Sequence, residues 1–287
     1  MERLLVATDL TQGSRHALGR AIRLAKMTGA ALRVIYAPPR SASATSHEVA
    51  RETIFELVQG LAHEIAGVEL NLSIRLRDND PVQAIIEEAE RFDVDLVVLG
   101  AQGEPRLRDA LYGTTATGLV RSGRPVLVVQ NDDARAYAKV LAAVDDDSAV
   151  RVLGRAIEIA PAAELFAVHA FKWTLAEQYA ERNPELVSAD RQAVLERQVA
   201  QALTGAGART SATAHSLARE GAVIGVVTAC WNEIEPDLIV MGTHGRSGLA
   251  RLIHGSFADY FLLQCPSDLL VVPTTSDPDA TAPLAEG

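Results

Sequence analysis

The sequence predicts an α/β protein of two tandem doubly wound domains, each built on a five-stranded parallel sheet, and three observations carry that reading. Short aliphatic runs alternate with longer segments of helical period, the pattern of buried parallel strands covered by helices. The chain also repeats itself: LLVATD at 4–9 answers VLAAVD at 140–145, and DLVVLGAQG at 95–103 answers DLIVMGTHG at 237–245. Asp9 and Asp145 are 136 residues apart, Gly100 and Gly242 are 142 apart, so the copies differ by a net insertion of six. Duplication of one domain accounts for this, and 287 residues suit two domains better than one.

In the first copy, strands are predicted near 3–8, 31–37, 69–76, 94–99 and 125–130, with helices near 13–28, 47–66, 81–91 and 114–122. Asp80-Pro81 is a helix start: Asp80 serves as N-cap, Pro81 fits the first helical position and Gln83 sits where a capping box needs it. In the second copy, strands are predicted near 139–144, 164–170, 209–215, 237–241 and 268–272, with helices near 149–160, 186–204, 219–234 and 256–264. The domains therefore span 1–130 and 139–273, the polar stretch 131–138 is a linker, and 274–287 reads as a flexible tail.

Composition removes several function classes. Hydrophobic residues at 48% and charged residues at 22% give a chain that packs a core. No apolar run reaches the roughly 18 residues of a membrane span. MERLLVATDL enters a strand-like run without the basic and apolar segments of a leader, so a cytoplasmic protein is expected. A net charge of -10 without a basic cluster argues against a nucleic-acid surface. Cys230 and Cys265 have neither disulfide nor metal-site spacing and read as buried thiols.

Open α/β sheets bind ligands beyond the carboxyl ends of their strands, where the strand order reverses. Two elements meet there in each copy: the acid ending the first strand, Asp9 or Asp145-Asp146-Asp147, and the glycine loop leaving the fourth. In the second copy that loop reads GTHGRSGLARLIHGS, with Gly242, Gly245, Gly255 and Ser256 in fixed spacing and Arg246 and Arg251 as cationic donors. Glycines admit an anion to backbone N–H groups, and Gly255-Ser256 opens a predicted helix whose orphan N–H groups and dipole favour phosphate. With its strand context, this spacing resembles the ATP-binding class of universal stress proteins, and the resemblance covers both halves. It implies a Rossmann-like fold of the adenine-nucleotide alpha-hydrolase type and ATP, alone or with Mg2+, as ligand. It further implies that Asp145 and the backbone near His169 and Ala170 serve adenine and ribose, while Gly242, Gly245, Gly255 and Ser256 hold phosphates. The matching positions of the first copy are Asp9, Ala37, Gly100, Gly103, Gly113 and Thr114. There the loop reads GAQGEPRLRDALYGT: Glu104 stands where the family usually has Arg, and Pro105 lacks an N–H donor. The first site is the weaker, although Arg106 and Arg108 offset some of the repulsion.

Other signals have plainer readings. The acidic triplet could ligate Mg2+ beside a nucleotide, but one Asp facing the ligand and the others capping a helix or facing water is the commoner arrangement. His244 and His254 read as loop surface, and His47, His63 and His215 lack partners at metal-ligand spacing. Trp173, Tyr179 and Trp231 read chiefly as packing. Gly205-Ala-Gly207 fails the dinucleotide fingerprint, and the Asn71 sequon falls inside a predicted strand.

The expected function is a sensing module that binds ATP or a related nucleotide, chiefly in the second domain, and alters contacts with a protein partner. No Walker lysine follows the glycines and no nucleophile has its own base, so efficient turnover is not expected. A weak ATPase or adenylate transferase is the alternative from another class. A third reading follows from the resemblance: CPSDLLVV is similar to two-domain members that hold a lipid-like or aromatic ligand. The apolar edge strands 125–130 and 268–272 are expected to pair within the chain, as the halves of a pseudo-dimer, with or without a further homodimer.

Overall fold

The structure is a computed structural model that describes residues 1–36, 44–65, 72–76, 81–101, 124–131, 135–172, 184–242 and 267–274. The first half runs β1 (Arg3–Thr8), α1 (Gln12–Thr28), β2 (Ala31–Tyr36), α2 (Ala44–Ile65), β3 (Leu72–Leu76), α3 (Pro81–Phe92), β4 (Leu96–Gly100) and β5 (Val126–Val129). The second repeats it with β6 (Lys139–Val144), α4 (Ala149–Ile159), β7 (Glu164–Phe171), α5 (Pro184–Ala206), β8 (Thr213–Glu220), α6 (Val223–Ile234), β9 (Leu238–Gly242) and β10 (Asp268–Val272). The helices expected at 114–122 and 256–264 lie outside the described residues, as do Asp80 and Cys265.

All ten strands form one sheet in the order β3-β2-β1-β4-β5-β10-β9-β6-β7-β8. Each half is parallel within itself; the halves join through β5 and β10, which pair antiparallel with Leu127 opposite Leu270. Because Val126 faces Val271 and Val128 faces Leu269, the Leu127–Leu270 pair lies on the pseudo-twofold axis. The strands are apolar on both faces because helices cover both. Leu4, Val6, Val98 and Leu270 pack with α1 and α4 on one side, and Leu5, Val97, Ile239 and Leu269 pack with residues of α3 and α6 on the other.

The repeated DL of the fourth strand has a structural use in both halves. Asp95 Oδ2 accepts from the backbone N–H groups of Glu2 and Arg3 at 2.6 and 3.0 Å. Asp237 Oδ2 accepts from those of Ala138 and Lys139 at 2.7 and 2.9 Å. Each aspartate thus ties the start of the first strand of its half to the start of the fourth. Burial pushes the Asp95 carboxyl up, but the Glu2 and Arg3 bonds and the nearby positive charges outweigh it and hold the group below its ordinary value.

One strand sits later than the sequence suggests. A strand was expected near 209–215 and a helix near 219–234; instead Gly207–Arg209 forms a 3-10 turn, β8 runs Thr213–Glu220 and α6 starts at Val223. Gly221 separates them at φ 147°, a conformation that favours glycine, and a Cβ there would lie 2.9 Å from Val226. β8 is an edge strand, so its polar alternation carries little periodic signal. Gln192 of α5 covers that edge as a neighbouring peptide would: its Nε2 donates to Ser216 O at 2.8 Å and its Oε1 accepts from Ala218 N at 3.0 Å.

The junction of the halves holds a buried polar network that sequence reading missed. Asp268, at the start of β10 and fully buried, accepts at Oδ1 from Gln130 N at 2.8 Å and Asn131 N at 3.4 Å, and at Oδ2 from the Tyr137 hydroxyl at 2.7 Å. Arg20 of α1 places Nε 3.3 Å from Oδ2, stacks 4.0 Å over the Tyr137 ring and donates to the Arg135 carbonyl. Burial raises the Asp268 carboxyl despite Arg20 and its hydrogen-bond donors, and burial together with Asp268 pushes the Tyr137 hydroxyl well above its ordinary range.

Glycine ends the fourth strand of each half for a steric reason. A Cβ on Gly100 would lie 2.4 Å from the Gly13 carbonyl oxygen in the first turn of α1, a backbone atom that cannot rotate away. On Gly242 it would lie 2.6 Å from a Thr274 methyl, 3.2 Å from Val152 and 3.3 Å from Ser148 Oγ.

Three outcomes follow. Asp268→Ala leaves Arg20 buried without its counter-charge and lowers unfolding free energy by about 3–5 kcal/mol in urea denaturation, while Arg20→Met with Asp268→Leu restores most of the loss. Gly100→Ala costs about 1–3 kcal/mol from overpacking, more than Gly242→Ala, because a backbone neighbour yields less than a threonine methyl. For Asp95→Asn, the depressed native carboxyl means stability that is present above 3.8, its ordinary value, and lost as pH falls through the native one. Its melting temperature therefore lies below wild type near neutral pH, and the gap closes on acidification.

Candidate functional site

Strand order reverses between β1 and β4 in the first half and between β6 and β9 in the second, which puts a crevice at the carboxyl ends of those pairs. Asp145 and Gly242 leave adjacent strands there, as do Asp9 and Gly100, with Ala143 of β6 opposite Met241 of β9 and Val6 of β1 opposite Val98 of β4.

In the second half, Asp145 is 4% exposed. Its Oδ1 accepts from the backbone N–H of Ser148 at 2.8 Å and from the Ser148 hydroxyl, which ties the carboxylate to the residue preceding α4. Its Oδ2 is buried and has no hydrogen-bond partner among the described residues. A buried carboxylate oxygen left this way costs free energy until a donor reaches it. Ser148 Oγ also lies near Gly242, so the acid, the hydroxyl and the end of β9 form one wall.

His169 of β7 forms the neighbouring wall. It is 7% exposed, and its Nδ1 lies 3.2 Å from the Val144 carbonyl. A carbonyl only accepts, so Nδ1 carries the proton. Nε2 points toward Asp146 Oδ1 at 4.0 Å, and the ring stacks on Phe171 at 6.4 Å between centroids. Ala170, the next residue of β7, is buried. Asp146 faces outward to α5: Arg191 Nη1 lies 3.4 Å from its Oδ2, and Gln198 Nε2 donates to its carbonyl at 2.8 Å. The three aspartates thus divide their work, with Asp145 turned inward, Asp146 latched to α5 and Asp147 exposed. No group of three or more His, Cys, Asp and Glu side chains among the described residues is arranged to hold a metal ion.

The first half differs at the same places. Asp9 is half-buried and its Oδ1 accepts from Thr11 N at 3.0 Å and Thr11 Oγ1 at 2.5 Å. Tyr36 occupies the register position that His169 holds in the second half, opposite Thr8 as His169 is opposite Val144. Thr8 and Ser14 hydroxyls pair at 3.0 Å below Leu10, whose φ is 66°.

Of the residues expected at the two sites, the structure places Asp9, Gly100, Asp145, His169, Ala170 and Gly242, and it brings Asp145, His169 and Gly242 to one crevice. Ala37, Gly103, Gly113, Thr114, Gly245, Arg246, Gly255 and Ser256 lie outside the described residues. Arg191 and Gln198 were not anticipated; they come from a helix far along the chain, and no local spacing marks them. Cys230 is buried on α6, and Trp231 packs there with its Nε1 donating to Ser267 Oγ at 2.9 Å. No helix among the described residues is long and apolar enough to cross a membrane.

Comparison with known proteins agrees with this architecture. A universal stress protein of Mycobacterium tuberculosis (strain H37Rv) is 29% identical over 222 residues, 70% of each chain. The stress response protein NhaX of Bacillus subtilis is 28% identical over 162 residues, 45% of this chain and 98% of its own. The crystal structure of a universal stress protein from Archaeoglobus fulgidus superposes with a TM-score of 0.67 at 21% identity, covering 95% of this chain and 98% of that one. The model of the universal stress protein family matches residues 1–130 and again 136–273, so the chain belongs to that family as a tandem pair of its domains.

Proposed function

We propose that this protein is a stress-response sensing module that binds ATP or a related nucleotide in its second half and alters contacts with a protein partner when the site is filled. The observation that carries the reading is Asp145 Oδ2, a buried acceptor without a donor among the described residues, at the reversal of strand order. An adenine amino group or a ribose hydroxyl supplies the missing donor. The residues present fit such a ligand: His169 and Ala170 line the side toward β7, and Gly242 leads into the glycine loop that would hold phosphates. In the first half Asp9 is more open and Tyr36 replaces His169, so the second half is the stronger site. No described residue supplies an activated nucleophile beside Asp145, which favours binding over turnover.

Calorimetric titration with ATP, with and without Mg2+, tests this. Wild type binds with a stoichiometry dominated by one site. Asp145→Ala weakens binding by about 10- to 100-fold, the loss of a hydrogen bond to a charged group. Gly245→Val with Gly255→Val abolishes the main site, whereas Gly103→Val with Gly113→Val leaves it intact. Affinity unchanged by Asp145→Ala and by the first glycine pair would refute the assignment.

A further inference from the structure

A groove runs along the seam between the halves and shares no lining residue with the crevice at Asp145. Its main part, about 660 Å³, lies between the end of α1 at Met27, the side of α4 at Val150 and Ile157, and the last turns of α5 at Ala202. A narrower arm of about 340 Å³ continues past Met27 and Pro161, which line both parts, to Arg23 and Tyr137. The main part alone matches the roughly 300–1,000 Å³ of small-molecule sites, which favour interfaces between domains.

Two glycines open the groove. A Cβ on Gly154, in the middle of α4, or on Gly205, in the last turn of α5, would meet nothing within 4 Å. Neither has a positive φ. Glycine inside a helix costs stability relative to alanine, and here no close neighbour or backbone conformation requires it. What the two residues provide is space on two of the helices that line one cavity, bordered by the adaptable side chains of Met1 and Met27.

The charges around the groove are predominantly positive. Arg20, Arg23, Lys26 and Arg209 line it, with Glu158 as the acidic residue among the lining groups. Glu158 is committed to Arg155 and to the Met1 ammonium, each at 2.6 Å. Arg20 is committed to Asp268. Arg23 is different: among the described residues it has no ion pair, and its Nε is buried without a hydrogen-bond partner. An orphaned guanidinium donor beside an apolar trough is a receptor for an anionic head with an apolar body.

We propose that the seam groove binds an elongated apolar organic anion, its body in the space left by Gly154 and Gly205 and its carboxylate or sulfonate on Arg23. This site is separate from the nucleotide crevice and stands whether or not that reading holds. The probes are anilinonaphthalenesulfonate and its uncharged relative N-phenylnaphthylamine, followed by fluorescence on the intact chain. Wild type binds both saturably at one site, and saturating ATP displaces neither. Gly154→Leu fills open space in a helix, so it melts at or above the wild-type temperature, yet it weakens both probes by about tenfold or more. Gly205→Leu makes the same test from α5. Arg23→Gln weakens the sulfonate by about tenfold while N-phenylnaphthylamine stays within about twofold, because only the charged head loses its partner. Absence of saturable binding to wild type, full binding by both folded leucine variants, or equal loss of both probes in Arg23→Gln would overturn the proposal.

Discussion

Pairing β5 antiparallel to β10 sets two apolar edges against each other, and the placement of most other elements follows from it. With Leu127 opposite Leu270 at its centre, the pairing converts two five-stranded sheets into one of ten strands and removes the edges most prone to association. It also points the carboxyl ends of the two halves in opposite directions, so the two crevices cannot merge into one site. Asp268 secures this junction by accepting the N–H groups of Gln130 and Asn131, which leave β5, and by holding Arg20 from α1. The register of the sheet and the docking of a helix on it are thus set by one carboxylate.

Duplication gave both halves the same frame and left their sites free to differ. Asp95 and Asp237 make the same clamp, and Gly100 and Gly242 both end a fourth strand against the start of the helix that follows the first. Each of those repeated residues has a use in the frame. Among the positions that differ at the carboxyl ends of the central strands are Thr8 and Val144, Leu10 and Asp146, and Tyr36 and His169. In the second half α5 is latched to Asp146 through Arg191 and Gln198. The two crevices thus differ in polarity while the aspartate clamps and the strand-ending glycines are the same.

Much of this was legible in the sequence because parallel strands buried on both faces are continuous aliphatic runs, as in VLVV at 126–129 and KVLAAV at 139–144. β8 was misplaced because an edge strand with polar alternation looks like a loop leading into a helix, and the deciding residue, Gly221, acts through its φ and not through any pattern. Asp145 was singled out because it ends a strand in a repeated motif. Asp268 was missed because an acid starting an apolar strand announces burial only once its partners, Arg20 and Tyr137, are known to come from distant parts of the chain. Gly242 was marked in the sequence as a candidate phosphate contact, whereas the steric need for glycine there shows only in the positions of Thr274 and Ser148.

Asp145 and Asp268 are two buried acids whose hydrogen bonding differs. Both are aspartates next to or within apolar strands, and both are buried. Asp268 has donors on each oxygen, from two backbone amides, a tyrosine hydroxyl and an arginine. Among the described residues, Asp145 has both of its donors, the Ser148 amide and hydroxyl, on one oxygen, and the other has none. Leaving a buried acceptor unmatched costs on the order of 1–3 kcal/mol, and nothing in the frame of the fold requires that arrangement. The same residue type, equally buried, is fully satisfied where the chain needs rigidity and left incomplete where the sheet opens. The incomplete one is where a ligand gains most by binding, since its donor relieves a cost the folded chain already carries.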